Sequence, residues 1–391
     1  MVTIEENNLL KQVETVFHEL FGVKNLIVRS PGRINLIGEH TDYNHGFVLP
    51  AAIDKAVYFA IGLRNDEEVH LYATNMQESY QTRLDSLSAP PFHWSAYVLG
   101  VVDQLQRNGF PISGFNAVIN GEIPIGAGMS SSAGLECATV FALNDLFQLE
   151  LDTLDMIKLA QKAENEFVGV KCGIMDMFAS MLGKKNMAIQ LDCHDLSYKY
   201  FPFALRDYKI VLFDTRVKHS LAGGEYNLRR QQCEEGVYLL QKIYPQVKSL
   251  RDVNISMLQS DLIKMASSTV FNRCCYVVEE NLRLLKGCEL LLGNDIAGFG
   301  KKMYASHEGL SKLYEVSCSE LDLLVELAKK ESSIAGARMM GGGFGGCTIN
   351  LIREVAIDDI YNRFEEEYFQ ETGQELKMYI TTAQDGTSKV C

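Results

Sequence analysis

The chain has 391 residues, room for two domains of ordinary size. Its 37 Lys and Arg against 50 Asp and Glu leave a net charge of −13, which excludes a broad basic face for nucleic acid but not one anionic ligand held by helix N-termini, a metal ion or a single arginine. No apolar run approaches the ~18 residues of a membrane span. No basic leader precedes an apolar stretch, and none of the ten cysteines form a C-x-x-C pair, so the expectation is a cytoplasmic chain with free thiols and no membrane partner.

Leu9, Val13, Val16, Phe17 and Leu20 recur at helical spacing, predicting a helix over 4–21 that stops at Gly22. Residues 25–40 read as short strands broken at Pro31-Gly32, with more strands at 46–63 and 67–73. A helix at 96–109, a strand at 115–124, a glycine turn at 125–129 and a helix at 130–147 follow. Helices are predicted at 153–168 and 174–182, and strands at 186–192 and 208–215. Beyond residue 220 helices dominate, at 224–243, 269–306 and 317–330. A glycine loop running into a strand occupies 338–352, and a helix at 356–370 and a strand at 376–381 close the chain. Strands and helices are interspersed without βαβ alternation, so the fold class is α+β. The shift in content divides the chain into an N-terminal domain, 1–187, and a C-terminal domain, 188–391.

Five stretches carry chemistry. In "PIGAGMSSSAGLE" (124–136), Gly126 and Gly128 permit a tight turn, and Ser130, Ser131 and Ser132 open a helix. That is either plain capping by serine or a phosphate cradle of backbone N–H groups and hydroxyls. "MGGGFGGC" (340–347) contains G-x-G-x-x-G, but a helix is expected before it and a strand after, the reverse of a dinucleotide fingerprint. Its glycines press backbone against something, whether a ligand or packing. "GRINLIGEHTDYNHGF" concentrates Arg33, Glu39, His40 and Asp42, groups able to accept hydrogen bonds from hydroxyls or donate to them; a solvated turn is the other reading. Asp176, in the apolar run "CGIMDMF", is a helix cap or a catalytic acid or base, and Glu164 lies twelve residues before it. Tyr226 follows Gly223-Gly224 at a helix start and is either a core tyrosine or a flat face for a sugar.

Together these stretches, with "LDC" (191–193), "HSLAGGEYNLRRQQCEE" (219–235) and the closing "DGTSKV", resemble the galactokinase branch of the GHMP kinase superfamily over nearly the whole chain. The resemblance implies an N-terminal domain like ribosomal protein S5 domain 2 and a helix-rich C-terminal domain with a ferredoxin-like core, the glycine loop 341–346 lying in the latter. It implies ATP as co-substrate, Mg²⁺ as metal and D-galactose as acceptor, phosphorylated at its anomeric hydroxyl to α-D-galactose 1-phosphate, the entry to galactose catabolism. By the same resemblance Asp176 is the base, and Arg33 stabilises the transferring group. Glu39, His40, Thr41, Asp42, Gly173, Asp176 and Tyr226 line the sugar. Gly126, Ala127, Gly128, Met129, Ser130, Ser131 and Ser132 hold the nucleotide, and Ser132 and Glu164 hold the metal. Met129, Gly134 and Met177 depart from the branch's usual residues without removing a functional group. Other sugar 1-kinases of the branch, and a sugar sensor without turnover, are the competing readings; the unbroken Ser130–Ala133 run speaks against the sensor. A monomer or weak homo-oligomer is expected.

Overall fold

The computed structural model describes residues 4–22, 26–90, 93–203, 205–217, 222–259 and 267–390. Asn25, at the head of the expected first strand, and His219, Ser220 and Leu221 of the 219–235 stretch lie outside the described residues.

The inner strands of the first sheet send alternate side chains into two apolar layers. Its strands are β1 (Leu26–Asn35), β3 (Pro50–Leu63), β4 (Glu68–Ala73), β5 (Glu78–Arg83), β6 (Phe115–Gly121) and β13 (Ser388–Lys389), in the order β13-β1-β3-β6-β4-β5. All pairs are antiparallel except β4 with β6. Val28, Phe59 and Ile61 face the main core, while Ile27, Tyr58 and Ala60 face the opposite side. The first helix, Ile4–Phe21, covers that opposite side with Val13 and Phe17 and, in part, Leu9 and Val16, while Leu20 of the predicted stripe is exposed. On the main side lie the helices Ser95–Arg107, Ser131–Phe147, Thr153–Lys162 and Met175–Leu182. Ser131–Phe147 is sandwiched among them, and residues 133–140 are all buried.

A second, four-stranded antiparallel sheet has the order β10-β11-β9-β12, from β9 (Tyr208–Asp214), β10 (Ile334–Met339), β11 (Cys347–Arg353) and β12 (Lys377–Thr381). Helices Ser319–Lys329 and Ile357–Thr372 pack on it through Leu324, Ile360 and Phe364. A small third sheet joins β2 (Phe47–Val48), β7 (Met187–Asp192) and β8 (Tyr198–Pro202). One apolar cluster reaches from Val28 and Phe59 of the first sheet to Leu212 and Ile349 of the second. The C-terminal segment returns to pair Lys389 with Val28.

Five elements differ from the sequence expectation. β1 is one strand rather than two. Its register shifts between Pro31 and Arg33, so the break is a bulge. The 269–306 helix is two, Ser268–Leu292 and Ile296–Gly309. Asn294 takes the left-handed conformation (φ 55°), and the Asp295 carboxylate accepts from the Gly298 N–H at 2.8 Å to start the second helix. β10, not a helix, precedes the glycine loop. It is pressed against Gly300, where a Cβ would meet the Ala335 carbonyl oxygen at 1.8 Å. β5 and β8 are additional edge strands whose residues are mostly exposed.

Candidate active site

The bulge after Pro31 is where the site begins. Gly32 fits there because a Cβ would stand 2.6 Å from the Met129 carbonyl oxygen. The Arg33 N–H donates to that same oxygen (3.1 Å), which ties β1 to the glycine-serine turn. The Arg33 side chain is buried. Its Nε donates to Asp176 Oδ1 (2.7 Å), Nη2 to Asp176 Oδ2 (2.9 Å) and Nη1 to the Gly128 carbonyl (2.5 Å). Burial alone would lower the guanidinium pKa, but Asp176, Glu39 and Asp42 outweigh it and keep it raised.

Asp176 lies in the first turn of Met175–Leu182, where the helix dipole favours a negative charge. It does not cap that helix. Its carboxylate is held by Arg33 and by the Ser130 hydroxyl, which donates to Oδ2 at 2.5 Å. Its side chain is 25% exposed, and that opening faces a cavity of about 150 Å³.

The cavity's other wall is the 32–50 stretch. Glu39 is saturated on three sides. Its Oε1 accepts from Arg338 Nη2 (3.0 Å) and the Gly341 N–H (2.8 Å), and its Oε2 accepts from Asn35 (3.0 Å). Burial opposes ionisation, yet Arg338, Arg33 and these donors hold Glu39 below its usual range. A carboxylate has about four acceptor positions, so one on Oε2 remains for a ligand. The His40 Nε2 bonds the Gly342 carbonyl (3.1 Å), which can only accept, so Nε2 carries the proton and Nδ1 accepts from the Tyr43 hydroxyl (2.6 Å). Burial lowers its pKa to about 4, so the ring is neutral. Thr41 is not brought into the cavity lining. Its hydroxyl sits between the Gly38 and Phe47 carbonyls at 2.8 and 2.6 Å and closes the turn. Asp42 lines the cavity, and burial, reinforced by Asp176, pushes its pKa up to about 7. It is therefore not the simple ionised acceptor its sequence suggests. Gly173 backs onto it so closely that a Cβ would stand 1.9 Å from Asp42 Oδ2. Tyr226, on the helix Ala222–Gln241, completes the wall, its ring 5.2 Å from that of His40.

The glycine-serine turn lies behind Asp176. Gly126 (φ 82°), Gly128 (φ 76°) and Ser130 (φ 57°) all take left-handed backbone, and the Ser131–Phe147 helix starts directly after them. The second glycine loop packs partly against this turn and partly against Val316. A Cβ on Gly341 would meet the Gly128 carbonyl at 3.3 Å, and one on Gly343 would meet the Val316 carbonyl at 2.1 Å.

Ser132 lies near Glu164, whose pKa is raised to about 7 by burial and then by Asp176. The Cys172 thiol donates to Glu164, at 3.4 Å. The Glu136 carboxylate, one turn along from Ser132, is fully buried, and its pKa is raised well above the usual range by burial and by Glu164. Among the described residues no group of three or more His, Cys, Asp or Glu is arranged to hold a metal by itself. A hydroxyl and a carboxylate are nonetheless the hard oxygen donors Mg²⁺ uses when phosphates and water complete its shell, so the residues present fit that ion.

A second cavity, of about 880 Å³, opens on the far side of Ser131 and Ser132 and is walled by Trp94, Tyr97, Ile125 and Leu135. Sequence reasoning missed this cavity, Arg338 and Glu136. The one available signal was the chain's single tryptophan just ahead of a helix.

A glycine-serine turn at a helix start, an Asp–Arg pair bonded to it, a cavity at that pair and a larger one at the turn are the arrangement of a small-molecule kinase of the GHMP class. Residues 96–184 match the GHMP kinases N terminal domain, 284–370 the GHMP kinases C terminal domain and 15–63 the galactokinase galactose-binding signature. The chain is 41% identical over 363 residues to the galactokinase of Thermosipho africanus, covering 93% of this chain and 99% of that one. It is 40% identical over 387 residues to the galactokinase of Fusobacterium nucleatum, covering 98% and 99%. The crystal structure of Lactococcus lactis galactokinase complexed with galactose superposes with a TM-score of 0.92 at 35% identity, covering 97% and 99%. Methanococcus jannaschii mevalonate kinase shares the fold (TM-score 0.65, 19% identity, 93% and 99% covered). The chain belongs to the galactokinase family.

Proposed function

We propose that the protein transfers the γ-phosphate of ATP to the anomeric hydroxyl of D-galactose, giving α-D-galactose 1-phosphate and ADP. The observation that carries this is the carboxylate of Asp176, gripped by Arg33, bonded by Ser130 of the glycine-serine turn and opening into a small cavity. Phosphoryl transfer asks a protein chiefly for positioning and electrostatics, and these residues can supply both.

In this reading the sugar lies among Glu39, His40, Asp42, Gly173 and Tyr226, with Thr41 holding the turn that presents them. The nucleotide base occupies the larger cavity. Its phosphates lie on residues 126–132, where backbone N–H groups at a helix N-terminus favour anions. Asp176 accepts the proton of the anomeric hydroxyl, and Arg33, already against both Asp176 and Gly128, faces the charge that develops on the transferring group. Ser132 and Glu164 would hold Mg²⁺, which supplies charge neutralisation between the phosphates. The division after residue 187 belongs to the same proposal. So do a cytoplasmic location, in keeping with the described cysteines being free, and a monomer or weak homo-oligomer.

A coupled assay across galactose, N-acetylgalactosamine, arabinose and glucose tests the reading. A buried polar group left unpaired costs about 1–3 kcal/mol, so two such groups facing a wrong hydroxyl predict a kcat/KM lead of galactose over glucose of about a hundredfold or more. Comparable efficiency on glucose would refute the substrate assignment.

A further inference from the structure

Ser130 occupies a left-handed conformation (φ 57°, ψ 54°) at the N-cap of Ser131–Phe147. Gly126 and Gly128, four and two residues earlier, take similar positive φ values as glycines, the residue that adopts them without strain. A serine held there instead needs a compensating contact, and capping is not it, for its side chain makes no cap hydrogen bond. The hydroxyl turns away from the helix and donates to Asp176 Oδ2 at 2.5 Å. Oδ2 also accepts from Arg33 Nη2 (2.9 Å), so its two lone pairs are occupied, whereas Oδ1 accepts only from Arg33 Nε (2.7 Å).

We propose that the Ser130 hydroxyl is a positioning residue for the base. Together with Arg33 it fills Oδ2 and leaves Oδ1 as the single oxygen of Asp176 open to the sugar. This rests on the reading of Asp176 as base. As the sugar's anomeric oxygen bonds the γ-phosphorus, its proton passes to Oδ1. The bond from the γ-phosphorus to the β–γ bridging oxygen breaks, and its electron pair leaves with ADP. Ser130 thus serves the acceptor side through its hydroxyl, while its backbone remains in the phosphate turn. Without the hydroxyl the carboxylate keeps its charge and its Arg33 pair but loses the donor that distinguishes its two oxygens.

The test is a double-mutant cycle with Ser130→Gly, which relieves the backbone strain, and Ser130→Ala, which keeps the Cβ, each made alone and in an Asp176→Ala background. The single variants should melt close to the parent and bind ATP in calorimetry as the parent does. Their kcat should fall about tenfold or more with the KM for ATP and for galactose little changed. In the Asp176→Ala background, neither should lower kcat further. A raised KM for ATP with kcat intact would assign the hydroxyl to the phosphates and overturn the proposal, as would a loss that simply adds to that of Asp176→Ala. Parent-like turnover by Asp176→Ala alone would instead remove the base assignment on which the proposal rests.

Discussion

Gly173→Ala is a one-carbon change whose consequence can be worked out from the wall it stands in. The added Cβ would lie 1.9 Å from Asp42 Oδ2 and 2.1 Å from its Cγ, less than any real contact, so the Asp42 carboxylate has to swing away. Asp42 has little room, being 9% exposed and fixed by the Tyr43 N–H at 2.9 Å and by the turn that Thr41 closes. Overpacking of this kind costs about 1–3 kcal/mol of stability. A sugar hydroxyl deprived of its partner costs about 1–3 kcal/mol of binding, which is roughly a 5- to 150-fold rise in the KM for galactose. The three atoms nearest this Cβ all belong to Asp42, so the KM for ATP should stay near the parent value. Steady-state kinetics with each substrate varied in turn, beside a thermal melt, read out both effects. A galactose KM within twofold of the parent would refute the placement of Asp42 at the sugar.

The remaining expectations follow from neighbouring groups. Glu164→Gln keeps the shape beside Ser132 but removes the charge; it should raise the Mg²⁺ concentration needed for activity far more than the galactose KM, and an unchanged Mg²⁺ titration would exclude Glu164 as a ligand. Asp42, raised to about 7 by burial and by Asp176, binds its proton more tightly folded than unfolded. Its contribution to stability is therefore present below its ordinary range near pH 4 and lost as pH rises through about 7. Melts of the ligand-free protein from pH 5 to 8 should lose less stability on raising pH in Asp42→Asn than in the parent, and identical slopes would contradict the shift. Trp94→Ala, in the wall of the larger cavity, should raise the KM for ATP and leave that for galactose unchanged; the reverse pattern would put the nucleotide base elsewhere.

Much of this was legible in the sequence, for identifiable reasons. The stripe Val13–Phe17 is a periodicity that burial reads out directly, whereas the strand 115–121 is buried on both faces and shows its alternation only in which apolar layer each residue enters. Gly126, Gly128 and the serines announced a tight turn at a helix start, and Asp176 in an apolar run was a helix cap or a catalytic group, of which the structure removes the cap. What stayed hidden depends on partners distant in the chain. Arg338 reads as an ordinary strand residue, yet it is fully buried and bonds the Leu36 carbonyl and Glu39. Glu136 sits in a helix with no local hint that all its faces are covered. β5 and β8 were missed because edge strands exposed on both faces carry no apolar alternation. β10, "IAGARM", was missed because close approach to Gly300 selects small residues over the β-branched ones that mark strands.

The central claim is that Asp176, oriented by Arg33, takes the proton from the sugar hydroxyl. Its most direct test is the turnover of galactose with saturating ATP and Mg²⁺ by purified, folded Asp176→Ala. Loss of a general base predicts a fall in kcat of roughly 10²–10⁴ with the ATP affinity retained. A kcat within a few-fold of the parent would contradict it.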